Sequence, residues 1–328
     1  MILLASLIAV ALIFDFMNGR NDAANSIATI VSTRVLAPRY AVAWAAFFNF
    51  VAFLVFGLHV ASTIGTGIIA AESITDAVVA GALMGAICWQ VITGYFGIPS
   101  SSSHALIGGL VGAGVAHAGM GVIVWNGLGK TAAAIALSPL TGLAIALLLV
   151  LLVSWAFKRV APARVDGIFR KVQFVSASLY SLGHGGNDAQ KTMGIIAVLL
   201  AAHGRLPGAF HVPLYVVIAC NGAMALGTLL GGWRIVRTMG QQITRLAPVQ
   251  GVCAETAGAI TLFMATGLGI PVSTTHTITG AIIGVGAARR TSAVRWSVAR
   301  EIVTAWVITM PAAALIGALS YKLANVVL

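Results

Sequence analysis

Long apolar stretches dominate this chain, and they constrain its fold more than any other feature. The stretch from Gly129 to Phe157 carries no charged side chain after Lys130 and is predicted to form one long helix, kinked near Pro139. Only 8% of the 328 residues are charged, whereas a soluble domain carries about 25%. This composition predicts an all-α integral membrane protein, because apolar helices of about 20 residues span a bilayer.

The formal net charge of +11 does not indicate a nucleic acid as partner. Nucleic-acid recognition needs basic residues gathered on a polar domain, and here they lie in short loops between apolar stretches. The lipid bilayer is the partner that this composition predicts. Cys88, Cys220 and Cys253 lie in apolar segments without metal-ligand spacing, so we expect three small buried residues.

Two similar polar motifs interrupt the apolar chain. Residues 98–114 read IPSSSSHALIGGLVGAG, and residues 270–286 read IPVSTTHTITGAIIGVG. A proline and a run of hydroxyl residues before a helix are typical of a helix N-terminus, where free N–H groups favour an anion. N-capping alone would explain one such run, but not two. We expect Ser100–Ser103 and Ser273–Thr275 to form a donor-rich nest for a tetrahedral oxyanion.

The chain is predicted to consist of two repeats. Asn21-Asp22-Ala23 is matched by Asn187-Asp188-Ala189, and the prolines, histidines and glycines of the two polar motifs correspond in the same order. The predicted units are a first repeat at 1–158, a basic, loop-like linker at 159–171 and a second repeat at 172–328. Each repeat has about three spanning helices, the first of them broken at the Asn-Asp-Ala motif, and one helical hairpin, at 77–117 or 248–288. Residues 37–61 are predicted to form one span, and residues 63–76 and 234–245 are predicted loops.

The distribution of basic residues predicts the topology. An odd number of spans in each repeat turns the second repeat upside down. With the linker in the cytoplasm, fourteen Lys and Arg residues lie inside and only Lys130, Arg205 and Lys322 lie outside, as the positive-inside rule requires. We therefore expect inverted repeats, both termini outside, and hairpins that enter and leave the membrane by one face.

Four acidic residues lie in predicted membrane segments, where an unpaired charge costs roughly 3 kcal/mol. They are Asp15, Asp22, Asp188 and Glu255. Asp22 and Asp188 are repeat mates that follow asparagine near a glycine, and such oxygen-rich breaks suit a small cation or a proton relay. We expect Glu255 to balance charge in a cation site and Asp15 to hydrogen-bond to the broken backbone.

Basic and imidazole groups accompany these motifs. Arg20 and Lys191 are expected either to pair with the aspartates or to neutralise an anion. His104 and His276 close the two hydroxyl runs, either to handle protons or contact a ligand, or to hydrogen-bond a neighbouring carbonyl. The sequence contains no enzyme signature and no nucleotide-binding loop, so uphill transport would have to draw on an ion gradient.

Together these motifs resemble a known family. GRNDAANSIATIVSTRVL and GHGGNDAQKTMGIIA are similar to the paired signatures of the inorganic phosphate transporter (PiT) family, and the two hydroxyl motifs resemble its hairpin motifs. The resemblance extends from about Phe14 to Val307. It implies a compact prokaryotic symporter in the plasma membrane that imports inorganic phosphate with Na⁺ or H⁺ by alternating access and uses no other cofactor.

The resemblance also implies residue roles. The residues implied to bind phosphate are Ser101, Ser102, Ser103, Ser273, Thr274, Thr275, Asn21 and Asn187. The residues implied to serve the coupling cation are Asp22, Asn25, Asp188 and Glu255, with Asp22 and Asp188 holding Na⁺ if sodium is used. Lys191 departs from the family pattern, which has Asn or a small polar residue there. The alternatives are a sulfate or metal–phosphate permease of the same fold and a passive anion channel, although an anion channel has no use for buried carboxylates. A homo-oligomer is also compatible with the sequence.

Overall fold

A computed structural model describes residues 1–206 and 209–327; residues 207–208 and 328 of the predicted second repeat lie outside the described residues. The described fold is all-α, as predicted. Its α-helices in chain order are α1 (Ile2–Ser32), α2 (Pro38–Val51), α3 (His59–Thr66), α4 (Asp76–Phe96), α5 (Ser102–Ala118), α6 (Trp125–Ala156), α7 (Pro162–Ala202), α8 (Leu214–Leu230), α9 (Trp233–Arg237), α10 (Pro248–Gly267), α11 (Thr274–Arg289) and α12 (Trp296–Val327).

Several of these helices have the length and hydropathy of membrane spans. Among the described residues, α1, α4, α6 and α12 each qualify alone. Two further spans arise if each bent pair counts as one, α2 with α3 at 83° and α8 with α9 at 65°. Large apolar side chains such as Leu151 and Leu315 are exposed on α6 and α12, and such surfaces suit contact with lipid.

The predicted break at the Asn-Asp-Ala motif is wrong. Helix α1 continues through Gly19, and α7 continues through Gly185. These glycines allow close helix packing instead. A Cβ on Gly19 would lie 2.0 Å from the carbonyl oxygen of Met224, and one on Gly185 would lie 2.5 Å from that of Asn49. Glycine costs a helix about 1 kcal/mol relative to alanine, and the close packing offsets that cost.

Three predicted segments between these long helices also differ from the structure. The linker 159–171 is largely helical, because Pro162 begins α7. The predicted span 37–61 bends after Leu54, and α3 extends into the predicted loop 63–76. The predicted loop 234–245 contains most of α9 and a π-helical turn at Thr238–Gln242. Short helices next to bends contain too few residues for their periodicity to stand out.

Two helical hairpins, α4–α5 and α10–α11, interlock the halves of the chain. The first packs against α12 and the second against α6, so each contacts the long proline-containing helix of the other half. Glycines permit this contact: a Cβ on Gly112 would lie 1.9 Å from the carbonyl oxygen of Ala314, and one on Gly280 would lie 2.1 Å from that of Pro139. Helices α1 and α7 each contribute to both hydrophobic clusters of the molecule and so connect the two hairpins.

Candidate functional site

The two hydroxyl motifs form the tips of the hairpins, and these tips touch. The Ser103 Oγ donates a hydrogen bond to the carbonyl oxygen of Val272 at 3.0 Å. The Thr275 Oγ1 donates to the carbonyl oxygen of Ser100 at 3.3 Å. Both hydroxyls and both backbone segments are buried, so the N-termini of α5 and α11 meet inside the protein.

One hydroxyl of each run caps a helix. The Ser101 Oγ accepts a hydrogen bond from the N–H of His104, and the Ser273 Oγ accepts one from the N–H of His276, each at 3.2 Å. Such a cap stabilises a helix by about 1 kcal/mol. The N-capping alternative is therefore present, but it accounts for only one member of each run.

The next hydroxyl of each run holds a buried carboxylate. The Ser102 Oγ donates to Asp22 Oδ2 at 2.7 Å, and the Thr274 Oγ1 donates to Asp188 Oδ2 at 2.9 Å. Ser102 and Thr274 occupy the same place in their motifs, as Asp22 and Asp188 do in theirs. Two equivalent carboxylate–hydroxyl pairs thus form where the middle of α1 and the middle of α7 face the hairpin tips.

Asn25, one turn beyond Asp22 on α1, contacts the second hairpin tip. Its Nδ2 donates to the Thr275 Oγ1 at 3.0 Å and to the Thr274 Oγ1 at 3.2 Å. Its Oδ1 has no hydrogen-bond partner among the described residues, although it is buried. Asn25, which the resemblance implies for cation binding, therefore lies beside Asp22 and the second hairpin tip, and its Oδ1 remains available to a ligand.

Lys191, one turn beyond Asp188 on α7, points its ammonium group into the same cluster. It forms an ion pair with Asp188 and donates hydrogen bonds to the Ser103 Oγ at 2.5 Å and to the Val272 carbonyl oxygen at 3.0 Å. Of the two expected roles for Lys191, the structure contains the pairing with Asp188. Arg20, in contrast, is exposed.

His184 is a member of the cluster that the sequence does not predict. Its Nε2 lies 3.3 Å from Asp188 Oδ2, and its Nδ1 lies 3.2 Å from both Asn49 Oδ1 and Ser26 Oγ. One ligand atom from each of Asp22, His184 and Asp188 lies within 4.8 Å of the other two, a spacing that one bound cation can bridge. The i, i+4 spacing of His184 and Asp188 on one helix face is the signal that could have identified it.

Asn21 and Asn187 attach the hairpins to α1 and α7. The Asn21 Nδ2 donates to the carbonyl oxygen of Gln90 at 2.8 Å. The Asn187 Nδ2 donates to the Thr266 Oγ1 at 3.0 Å, and its Oδ1 accepts a hydrogen bond from the N–H of Val272 at 3.4 Å. In this structure both amides position the hairpins.

Glu255 forms a second buried polar cluster. Its Oε1 accepts hydrogen bonds from Thr29 at 2.6 Å and Gln173 at 2.9 Å, and its Oε2 accepts one from Ser176 at 2.5 Å. Thr29 lies seven residues beyond Asp22 on α1, which is about 10 Å along a helix. Glu255, on α10, therefore lies in a separate cluster, and its partners come from α1 and α7, the helices that carry Asp22 and Asp188.

Asp15 and the two histidines have other surroundings. Asp15 is buried, and neither carboxylate oxygen has a hydrogen-bond partner in the described part of the chain. The expected bond to a broken backbone does not form, because α1 is continuous there. The rings of His104 and His276 lie 4.4 Å apart, and His276 stacks on Trp306 at 3.7 Å. Both rings line an apolar cavity beside α6 and α12.

Known proteins resemble the chain over its whole length. Residues 18–317 match the model of a family described as the phosphate transporter family. A "probable low-affinity inorganic phosphate transporter" of Rhizobium meliloti (strain 1021) is 71% identical over 99% of this chain and 97% of its own length. The protein of the same description in Bacillus subtilis (strain 168) is 43% identical over 100% of this chain and 98% of its own length.

A solved structure is similar in fold as well. The structure described as "The sodium-dependent phosphate transporter" matches with a TM-score of 0.92 and 26% sequence identity, and the match covers 100% of both chains. The arrangement of helices and hairpins is therefore one already observed in a transporter.

Proposed function

Because the chain belongs to the phosphate transporter family, we propose that it imports inorganic phosphate together with Na⁺ or H⁺ by alternating access. The protein is a multi-pass membrane transporter and not an enzyme, since its family and relatives are transporters. One observation carries the proposal. Two equivalent carboxylates, Asp22 and Asp188, are buried between two helix N-termini and accept hydrogen bonds from the hydroxyls of the hairpin tips.

The charge balance of the cluster supports coupling to a cation. Two aspartates and one lysine leave one negative charge before an anion arrives. A buried charge without a counter-charge costs several kcal/mol, so a bound phosphate requires an additional cation. The structural match to a sodium-dependent phosphate transporter supports Na⁺ as the coupling cation of this chain. A proton is the alternative coupling cation.

The same carboxylates favour phosphate over sulfate. Phosphate at neutral pH carries at least one proton and can donate a hydrogen bond to Asp22 or Asp188, whereas sulfate has no proton to donate. A specific observation supports metal–phosphate as a second candidate substrate. His184 stands beside the two aspartates, and imidazole with carboxylates is a common ligand set for divalent transition metals.

Two contacts between segments that are distant in the chain support the proposed topology. The Arg170 Nη1 donates to the carbonyl oxygen of Arg34 at 3.2 Å, which places the linker beside the α1–α2 connection. The His203 Nε2 lies 2.9 Å from Asp76 Oδ1, which places the end of α7 beside the start of α4. Each contact joins two segments that the proposal puts on the same side of the membrane. The proposed topology has inverted repeats at 1–158 and 172–328, re-entrant hairpins at 77–117 and 248–288, a cytoplasmic linker at 159–171 and both termini outside.

Uptake of labelled anions into proteoliposomes tests the proposed function. We expect labelled phosphate, and not labelled sulfate, to enter when an inward Na⁺ or H⁺ gradient is imposed, with each gradient tested separately. A chelator added to parallel samples should leave uptake unchanged if free phosphate is the substrate and abolish it if a metal–phosphate complex is. Equal entry of both anions, or phosphate uptake that neither gradient stimulates, would contradict the proposal and indicate a passive anion pore.

A further inference from the structure

We propose that the ammonium group of Lys191 occupies a cation site as a tethered substitute for one coupling cation. The equivalent site at Asp22 and Asn25 is then the one left for a mobile cation. The consequence for coupling rests on the proposed transport function, whereas the identity of the site rests on the contacts of Lys191 alone.

The surroundings of the ammonium group are those of a small bound cation. Lys191 is 1% exposed. Its Nζ contacts a carboxylate oxygen of Asp188, the Ser103 hydroxyl at 2.5 Å and the Val272 carbonyl at 3.0 Å. Carboxylate, hydroxyl and backbone carbonyl oxygens are the hard ligands that hold such ions at broken helices of transporters.

The repeat-related residues around Asp22 form the same constellation without the ammonium group. By position in the motifs, Asp188, Ser103 and Val272 correspond to Asp22, Thr275 and Ser100. The Thr275 Oγ1 lies 3.3 Å from both Asp22 Oδ1 and the Ser100 carbonyl oxygen, so both acceptors are within reach of its single hydroxyl proton. The equivalent of Lys191 is Asn25, whose Nδ2 lies 3.0 Å from the Thr275 Oγ1.

The two constellations differ in charge. Asp188 is paired with Lys191, whereas the hydrogen bonds to Asp22 within the described residues come from hydroxyl groups, those of Ser102 and Thr275. The buried Oδ1 of Asn25 has no hydrogen-bond partner among the described residues. A cation beside Asp22 would neutralise the carboxylate and satisfy this oxygen. The chain would therefore move one cation fewer with each phosphate than a chain with asparagine at both positions.

Thermal unfolding of the purified protein in Na⁺ tests this assignment without any transport measurement. The Lys191→Asn variant should gain an Na⁺ site formed by Asp188, Ser103 and Val272. When Na⁺ is raised from 1 to 100 mM, the Tm of this variant should rise by roughly 3 °C or more beyond the rise seen in the wild type. Choline replaces Na⁺ in the low-Na⁺ samples to keep the ionic strength constant. Lys191→Arg, which retains the positive charge, is the matched control and should show no gain.

A second substitution guards against a folding defect. Lys191→Gln also supplies an amide oxygen, and it should show the same gain. Adding Asp188→Asn to either variant should remove the gain. Equal Na⁺ responses in the wild type, Lys191→Asn and Lys191→Gln would overturn the proposal. The proposal would also fail if both variants remained unfolded at every Na⁺ concentration, because Na⁺ would then not have replaced the ammonium group. Uptake by the wild type tests the proposed function independently.

Discussion

At the scale of single residues, Ser102 and Thr274 connect the anion nest to the carboxylates. Each hydroxyl lies at the N-terminus of a hairpin helix and donates to a buried aspartate. A hydroxyl can accept a hydrogen bond from protonated phosphate or donate one to it. An arriving phosphate would therefore replace the aspartate as the hydrogen-bond partner of each hydroxyl. The hydroxyls thereby link occupation of the anion nest to the environment of Asp22 and Asp188.

Replacing both hydroxyls tests this link. The double variant Ser102→Ala, Thr274→Ala should raise the KM for phosphate at least tenfold, because a hydrogen bond to a charged group contributes about 1.5–3 kcal/mol. Initial rates of labelled phosphate uptake over a range of phosphate concentrations would measure the change. Ser6→Ala removes an exposed hydroxyl that bonds its own helix and serves as the control. An unchanged KM in the double variant would refute a role of these hydroxyls in binding.

Most residues of the cluster around Asp22 and Asp188 can be predicted from the sequence. A carboxylate or a run of hydroxyl residues is conspicuous in an apolar helix, and the matching residue in the other repeat identifies it a second time. His184, Gln173 and Ser176 are different. Gln173 and Ser176 match the apolar Leu7 and Val10 of the first repeat, and His184 matches Asn18 rather than a second histidine. Each of the three contacts a residue on another helix. Their roles depend on which faces of α2, α7 and α10 meet, and those contacts arise only in the folded protein.

At the scale of helices, a glycine in an apolar helix has two interpretations, and sequence alone does not separate them. Gly19 predicts a break beside the Asn-Asp-Ala motif, yet it lies in a continuous helix against the backbone of α8. The hairpins show the opposite case. Pro99 and Pro271 correctly predict helix starts nearby, because proline fixes the backbone and lacks the N–H that a helix interior needs.

The proposed re-entrant hairpins make a prediction about their bases. In a Cys88→Ala background, a cysteine at Glu72, before α4, should react with an impermeant maleimide added outside cells. A cysteine at Arg245, before α10, should react only after the membrane is permeabilised, because the two hairpins enter from opposite faces. Both positions are exposed in the structure. Labelling of both cysteines from the same side of intact cells would contradict the inverted repeats.

At the scale of the whole molecule, the halves are interlocked rather than side by side. Each hairpin packs on the last long helix of the other half, and the hairpin tips meet between α1 and α7. Movement of one hairpin with its partner helix would open the cluster toward one face while the other hairpin keeps the opposite face closed. This geometry is the physical basis of the proposed alternating access.

Uphill accumulation of phosphate tests most directly whether the paired aspartates couple transport to a cation. Proteoliposomes with the wild-type protein and an inward gradient of the effective cation should accumulate labelled phosphate above its external concentration. Asp22→Asn should abolish this accumulation, because the amide cannot neutralise the coupling cation. Asp166→Asn changes a carboxylate that is 47% exposed, and it should accumulate phosphate as the wild type does. Accumulation by Asp22→Asn at the wild-type level would contradict the central role of the buried carboxylates.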